Sequence, residues 1–194
     1  QYEEKLGANP FKFGLIGSTD SHTSIASSTE DQNFGKATPA EPSNNPDRFK
    51  EMITGFLPDS QGRDYAIYHK SSSASGLAAV WSRENTREAL WDSMNRKEVY
   101  ATTGTRMKVR VFAGWDFQQA DLNRADFARY GYDNGVPMGG DLVSAKKDKA
   151  PNFLIQALRD PDWANLDRIQ IIKGWTDAKG EAHERVYDVA VSGD

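Results

Sequence analysis

The sequence predicts an α/β segment, residues 1–106, followed by an antiparallel β-rich region, residues 107–194. Three observations carry this reading. Up to residue 106, short apolar runs alternate with helix-like stretches and polar loops. Beyond it, residues 107–113 (MKVRVFA) alternate strictly between apolar and polar, and 153–158, 168–175 and 185–191 also have strand character. The last two runs flank TDAKG at 176–180, a loop of hairpin length that ends in Gly. Side chains two apart share a strand face and those three or four apart share a helix face, so the change of period separates the halves.

Within the first half, residues 11–17 (FKFGLIG) read as a short buried strand. Residues 18–46 show almost no apolar periodicity and are rich in Ser, Thr, Asn, Pro and acids, which predicts a long loop. Structureless loops beyond about 12–15 residues are usually functional or disordered, and one leaving a buried strand points to function. Phe49, Met52 and Ile53 at i, i+3 and i+4 predict a two-turn helix over 47–54. Residues 65–68 and 76–81 predict short strands. Asn85, with Glu88 three residues on, predicts a helix start closed by a capping box, with Leu90, Trp91 and Met94 as the buried stripe. A strand over 99–104 (VYATTG) follows. In the second half, Met107, Val109 and Val111 share one face, and 121–130 predicts a short helix. Trp81, Trp91 and Trp175 fall at apolar-face positions, which favours core packing over sugar stacking.

Composition removes several classes of function. The chain has 24 Lys plus Arg against 28 Asp plus Glu, a net charge of −4 that gives no basic face for nucleic acid. No run approaches the roughly 20 apolar residues of a membrane span. The absence of Cys excludes a thiol nucleophile, a thiolate metal site and a disulfide framework. There is no GxGxxG, Walker loop or GxSxG elbow.

Asp20 and His22 stand two apart in GSTDSH, just past the apolar run. Alternate residues of an extended segment point the same way, so a carboxylate and an imidazole there can reach one ion. Zn, Mn or Fe accept such a mixed oxygen and nitrogen set. The plainer reading makes Asp20 the start of an Asx-turn and His22 a surface residue. His69 and His183 read as a strand-edge and an exposed hairpin residue. Thr102, Thr103 and Gly104, with Arg106 after them, offer a hydroxyl-rich turn and a cation for an anionic substrate, as does Lys36 in the long loop. The plainer reading of 102–104 is a strand-to-turn junction.

The segments GLIGSTDSHTSIA, NFGK, GLAAVWSRENTREAL, RKEVYATTGTRMKVRVFAGWDF, GVPMGGDL and QIIKGW together resemble the bacterial family known as domain of unknown function 3604. That family is related to the PHP (polymerase and histidinol phosphatase) metallohydrolases. The resemblance implies the C-terminal part of a distorted β/α barrel and a site holding divalent metals, with Asp20 and His22 matching the last Asp-x-His motif. It also implies that an earlier His-x-His motif and further ligands lie upstream of Gln1. On that expectation this chain by itself is inactive, and the whole protein hydrolyses a phosphoester or similar small anionic ester. The competing expectation is a non-catalytic module whose β-rich half recognises a glycan or a protein.

Overall fold

The computed structural model describes residues 2–22, 44–45, 47, 52–54, 66–68, 76–143 and 149–193. It comprises two compact units, residues 1–157 and 158–194. The first holds α1 (Tyr2–Leu6), β1 (Met52–Thr54), β2 (Ala66–Tyr68), β3 (Leu77–Val80), α2 (Arg87–Asn95), β4 (Val99–Thr102), β5 (Lys108–Gly114), α3 (Phe127–Asn134), β6 (Val136–Pro137) and β7 (Asn152–Leu158), which ends at the boundary. The second holds β8 (Arg168–Thr176) and β9 (Ala182–Val191). The strands form small sheets: β1–β2, β3–β4, β6–β5–β7 and β8–β9. Among the described residues there is no closed barrel, and the chain is β-rich in both halves. No helix among the described residues is long and apolar enough to cross a membrane.

β5 and α3 build the core. Phe112, Phe117, Phe127 and Leu154 are buried together, with Tyr130 packed against them. The Phe112 ring meets Phe127 and Tyr132 edge-on, at centroid distances of 5.9 and 5.0 Å, the arrangement ring quadrupoles favour. α3 approaches so closely that a Cβ on Gly131 would lie 2.4 Å from the Phe112 ring. Phe112 thus decides which face of β5 is inward. The even positions Phe112 and Gly114 are buried, while Val109 and Val111 are only half-buried. Arg110 consequently shares the Phe112 side of the strand.

The second half follows the predicted strands. β8 and β9 pair antiparallel through Ile171 opposite Tyr187 and Trp175 opposite His183. Their turn is closed by Asp177, whose backbone N–H donates to the Glu181 carbonyl at 2.9 Å and whose carbonyl accepts from Gly180 at 3.0 Å. Gly180 takes φ +85°, the left-handed conformation that glycine adopts at no steric cost. The helix expected over 121–130 is displaced: a 3-10 helix spans Gln119–Asn123, and α3 begins at Phe127.

Four expectations in the first half are corrected. Met52–Thr54 is a strand, pairing with Ala66–Tyr68 through Ile53 opposite Ile67. Three apolar residues matching helical spacing do not outweigh a β partner that satisfies the backbone. α2 begins one residue later than expected: its N-cap is Thr86, whose Oγ1 accepts from the Ala89 N–H at 3.3 Å. The face it buries also differs from the expected stripe: Ser93 is buried while Trp91 is 66% exposed and Met94 also faces outward. Trp91 is therefore not a core residue, and in the second half Trp175 on β8, 41% exposed, is not one either. Finally, residues 11–17 form no ladder, and Phe13 and Leu15 are 65% and 79% exposed. No described strand hydrogen-bonds to this segment, so an apolar run alone does not make it a buried strand. It nevertheless runs beside β4: a Cβ at Gly14 would lie 2.8 Å from Lys97 Cγ, and one at Gly17 would lie 3.1 Å from Ala101 Cβ.

Candidate functional site

The extended segment carrying Asp20 and His22 passes one end of the β3–β4 pair. A Cβ on Gly76, just before β3, would lie 2.7 Å from the Ser18 carbonyl, so only glycine allows this approach. Thr102, opposite Leu77, closes β4 at the same end. Asp20 has φ +56°, a left-handed conformation that Asp tolerates better than most residues. The preceding turn is held by the Ser21 N–H, which donates to Thr19 Oγ1 at 3.2 Å. With Asp20 turned this way, its Oδ1 lies 3.2 Å from His22 Nε2. Both side chains are mostly exposed.

A metal ion with ligand bonds of about 2.0–2.2 Å sets neighbouring ligand atoms about 3.0–3.6 Å apart in octahedral or tetrahedral geometry. The Asp20–His22 separation fits that edge, and the oxygen and nitrogen donors suit a borderline divalent metal. Among the described residues, no third carboxylate or imidazole completes a three-ligand group with this pair.

The described group that does bring three donors together is Asp177, Glu181 and His183 at the tip of the β8–β9 hairpin. Its geometry serves the turn. Asp177 Oδ1 accepts from the Lys179 and Glu181 N–H groups at 2.8 and 3.0 Å, and Oδ2 lies 3.0 Å from His183 Nε2. These bonds, His183 first, hold the Asp177 carboxyl below its ordinary range. His183 also stacks on Trp175 at 5.3 Å.

The other residues singled out from the sequence separate. Thr102 Oγ1 is consumed in its own turn: it donates to the Thr105 carbonyl at 2.6 Å and accepts from the Gly104 N–H at 3.4 Å. Thr103 and Arg106 are exposed beyond it. Lys36 and His69 lie outside the described residues.

A second concentration of polar groups was not anticipated from the sequence. At the far end of β3, a cavity of about 450 Å³ is lined in part by Trp81, Arg83, Arg96, Glu98, Arg110 and Tyr132. Glu98 is buried, receives the Tyr132 hydroxyl on Oε1, and takes a longer bond of 3.4 Å from Arg96 on Oε2. The Arg110 guanidinium lies 3.7 Å from the Trp81 ring centroid, and the Trp81 indole N–H is fixed on the Val109 carbonyl at 2.9 Å. The available signal was the position of Arg110 on the Phe112 face of β5.

Burial, and then the bond to Glu98, push the Tyr132 phenol up to about 12. A raised folded-state value means a contribution to stability that is complete below the ordinary phenol value of about 10 and lost as pH rises through about 12. Ultraviolet titration of tyrosinate should therefore show a late-ionising phenol that disappears in Tyr132→Phe. Ionisation of every tyrosine at the ordinary value would contradict this. Tyr130 is also raised, by burial and then by its bond to Asp121, and its late ionisation should survive the substitution.

The site thus defines a β-rich chain with an exposed Asp–His pair at one end of a strand pair and a cation-lined cavity at the other. The family model for "Protein of unknown function (DUF3604)" matches residues 1–194, and the chain belongs to that family. No curated protein and no solved structure matches it.

Proposed function

We propose that this chain contributes to a divalent-metal-dependent hydrolase site in which Asp20 and His22 are ligands. The observation that carries the reading is the 3.2 Å approach of Asp20 Oδ1 to His22 Nε2, made with Asp20 in a left-handed conformation. Uncommon backbone conformations in polar residues cluster at functional sites, and here the conformation brings two donor atoms to one point. A metal bound there would lower the pKa of a coordinated water and polarise an ester. The chain's own part is to hold the two donors at ligand spacing and to leave them open to solvent. The PHP resemblance supports a β/α barrel in the complete site, a phosphoester or similar anionic ester as substrate, and Zn, Mn or Fe as the ion. The turn at 102–105 lies at the same end of the strand pair, where Thr103 and Arg106 are exposed for a substrate anion.

Titration of the chain with Zn²⁺ and with Mn²⁺ tests the ligand assignment. The expected affinity is weak, because two ligands leave most positions to water. Asp20→Ala and His22→Ala should each lower it about tenfold or more, by the scale of ligand-shell substitutions. His183→Ala should leave it unchanged, which separates this pair from the hairpin cluster. Affinity indifferent to Asp20→Ala and His22→Ala overturns the reading.

A second reading, a glycan- or protein-binding module, draws support from the hairpin. Trp175 and Tyr187 lie on one exposed face of β8–β9, with Lys173 4.9 Å from the Trp175 ring. Ligand capture lost in Trp175→Ala, by a chain that binds no metal, would favour it.

A further inference from the structure

We propose that the cavity at the Trp81 end of β3 binds the oxyanion of a small organic dianion, such as an aromatic phosphate monoester, through Arg83, Arg96 and Arg110. The site is separate from the Asp20–His22 pair. Gly76, which touches Ser18, and Trp81 are five residues apart along β3, about 16 Å at the rise of an extended strand.

Charge is the first argument. Three guanidinium groups and one carboxylate, Glu98, line the cavity, a surplus of two positive charges. Arg83 and Arg96 also line the adjoining recess, where Glu84 and Asp92 stand beside them outside the cavity, so Arg110 is the cation that faces the cavity alone. Cations gathered around a concave surface focus the potential on an anion.

Geometry is the second argument. Trp81 occupies the face of the Arg110 guanidinium, so its N–H donors point outward in the plane of the group. Among the described residues, no acceptor meets its buried Nε. That Nε is closed off from the cavity, so a bidentate oxyanion would be met by the two terminal guanidinium nitrogens, whose plane the stacking on Trp81 holds in place. Glu98 accepts from Tyr132 on Oε1 and from Arg96 on Oε2, so its oxygens are bonded to groups other than Arg110.

Size and lining supply the body of the ligand. About 450 Å³ falls in the range of small-molecule sites and exceeds what a bare inorganic anion fills. Trp81, Tyr132 and Pro137 give an apolar wall against which an aromatic group can stack. A phosphate monoester carries close to two negative charges at neutral pH, matching the surplus.

Calorimetric titration of the intact chain with phenyl phosphate, inorganic phosphate and phenyl sulfate is the test. Phenyl phosphate should bind saturably and more tightly than either inorganic phosphate, which lacks the ring, or phenyl sulfate, which lacks the second charge. Arg110→Gln should weaken phenyl phosphate on the order of tenfold or more, and Arg110→Lys should not restore it, since an ammonium lacks the planar fork. Arg83→Gln, at the exposed rim, should weaken binding without disturbing the fold, which circular dichroism checks. His22→Ala should leave binding intact. The proposal is overturned by no saturable binding, by binding indifferent to both Arg83→Gln and Arg110→Gln, or by loss in His22→Ala alone. Phenyl sulfate binding as tightly as phenyl phosphate overturns the two-charge assignment.

Discussion

Phe112→Ala is expected to destabilise the chain by about 3–5 kcal/mol, seen as a lower urea midpoint. Phe112 is fully buried and sits at the centre of a small cluster with Phe117, Phe127 and Leu154. Removing its ring takes away the edge contacts to Phe127 and Tyr132 and leaves a cavity beneath α3. Gly131 cannot fill that space, having no side chain, and α3 already approaches as closely as the ring permits. Total stabilities of domains are only about 5–15 kcal/mol, so the loss is about a fifth of the whole or more. Trp91→Ala removes a larger side chain at an exposed position and should cost within about 0.5 kcal/mol. Equal costs for the two would show that the core has been placed on the wrong residues.

What could be read from the sequence divides by the range of the interactions involved. The β8–β9 hairpin was legible because its strands, turn residue and glycine are consecutive, and each favours the same structure. Asp20 and His22 were legible as neighbours from their spacing, but the left-handed conformation of Asp20 that brings the donor atoms to 3.2 Å was not. β1 was misread as a helix because Phe49, Met52 and Ile53 meet the helical spacing by coincidence, while the partner that makes it a strand is fourteen residues away, at Ile67. The start of α2 was off by one because Asn85 and Thr86 are both competent caps and only the bond to Ala89 distinguishes them. The inward face of β5 was not legible because the valines share one parity and Phe112 the other, and α3 packs on the aromatic. The cavity at Trp81 was invisible for a similar reason. Its residues come from the end of β3, the α2–β4 junction, β5 and α3, and no local period links them.

Gly139→Ala is expected to be nearly as damaging as the core truncation, by a different route. Gly139 has φ +84°, and a Cβ there would lie 2.1 Å from the Lys97 carbonyl oxygen and 2.4 Å from its carbon. The left-handed conformation alone costs an L-residue about 1–2 kcal/mol. The collision adds the strain of overpacking, about 1–3 kcal/mol, because the obstacle is backbone and cannot rotate away. Lys97 cannot easily retreat either: it has φ +62° where α2 hands over to β4, and its N–H is bonded to the Met94 carbonyl at 2.9 Å. Gly180→Ala isolates the first contribution, since Gly180 has φ +85° with nothing within 4 Å of its Cβ position. The hairpin should therefore loosen by only the conformational cost of about 1–2 kcal/mol, read by amide exchange around residues 176–182. The Lys97–Gly139 contact should open by about twice that, read by exchange at Met138 and Gly140, whose N–H groups bond to the Val111 and Pro137 carbonyls. Lys97→Ala should not relieve Gly139→Ala, because the colliding oxygen and carbon belong to the main chain. A rescue by Lys97→Ala would mean that the side chain, not the backbone, sets the contact.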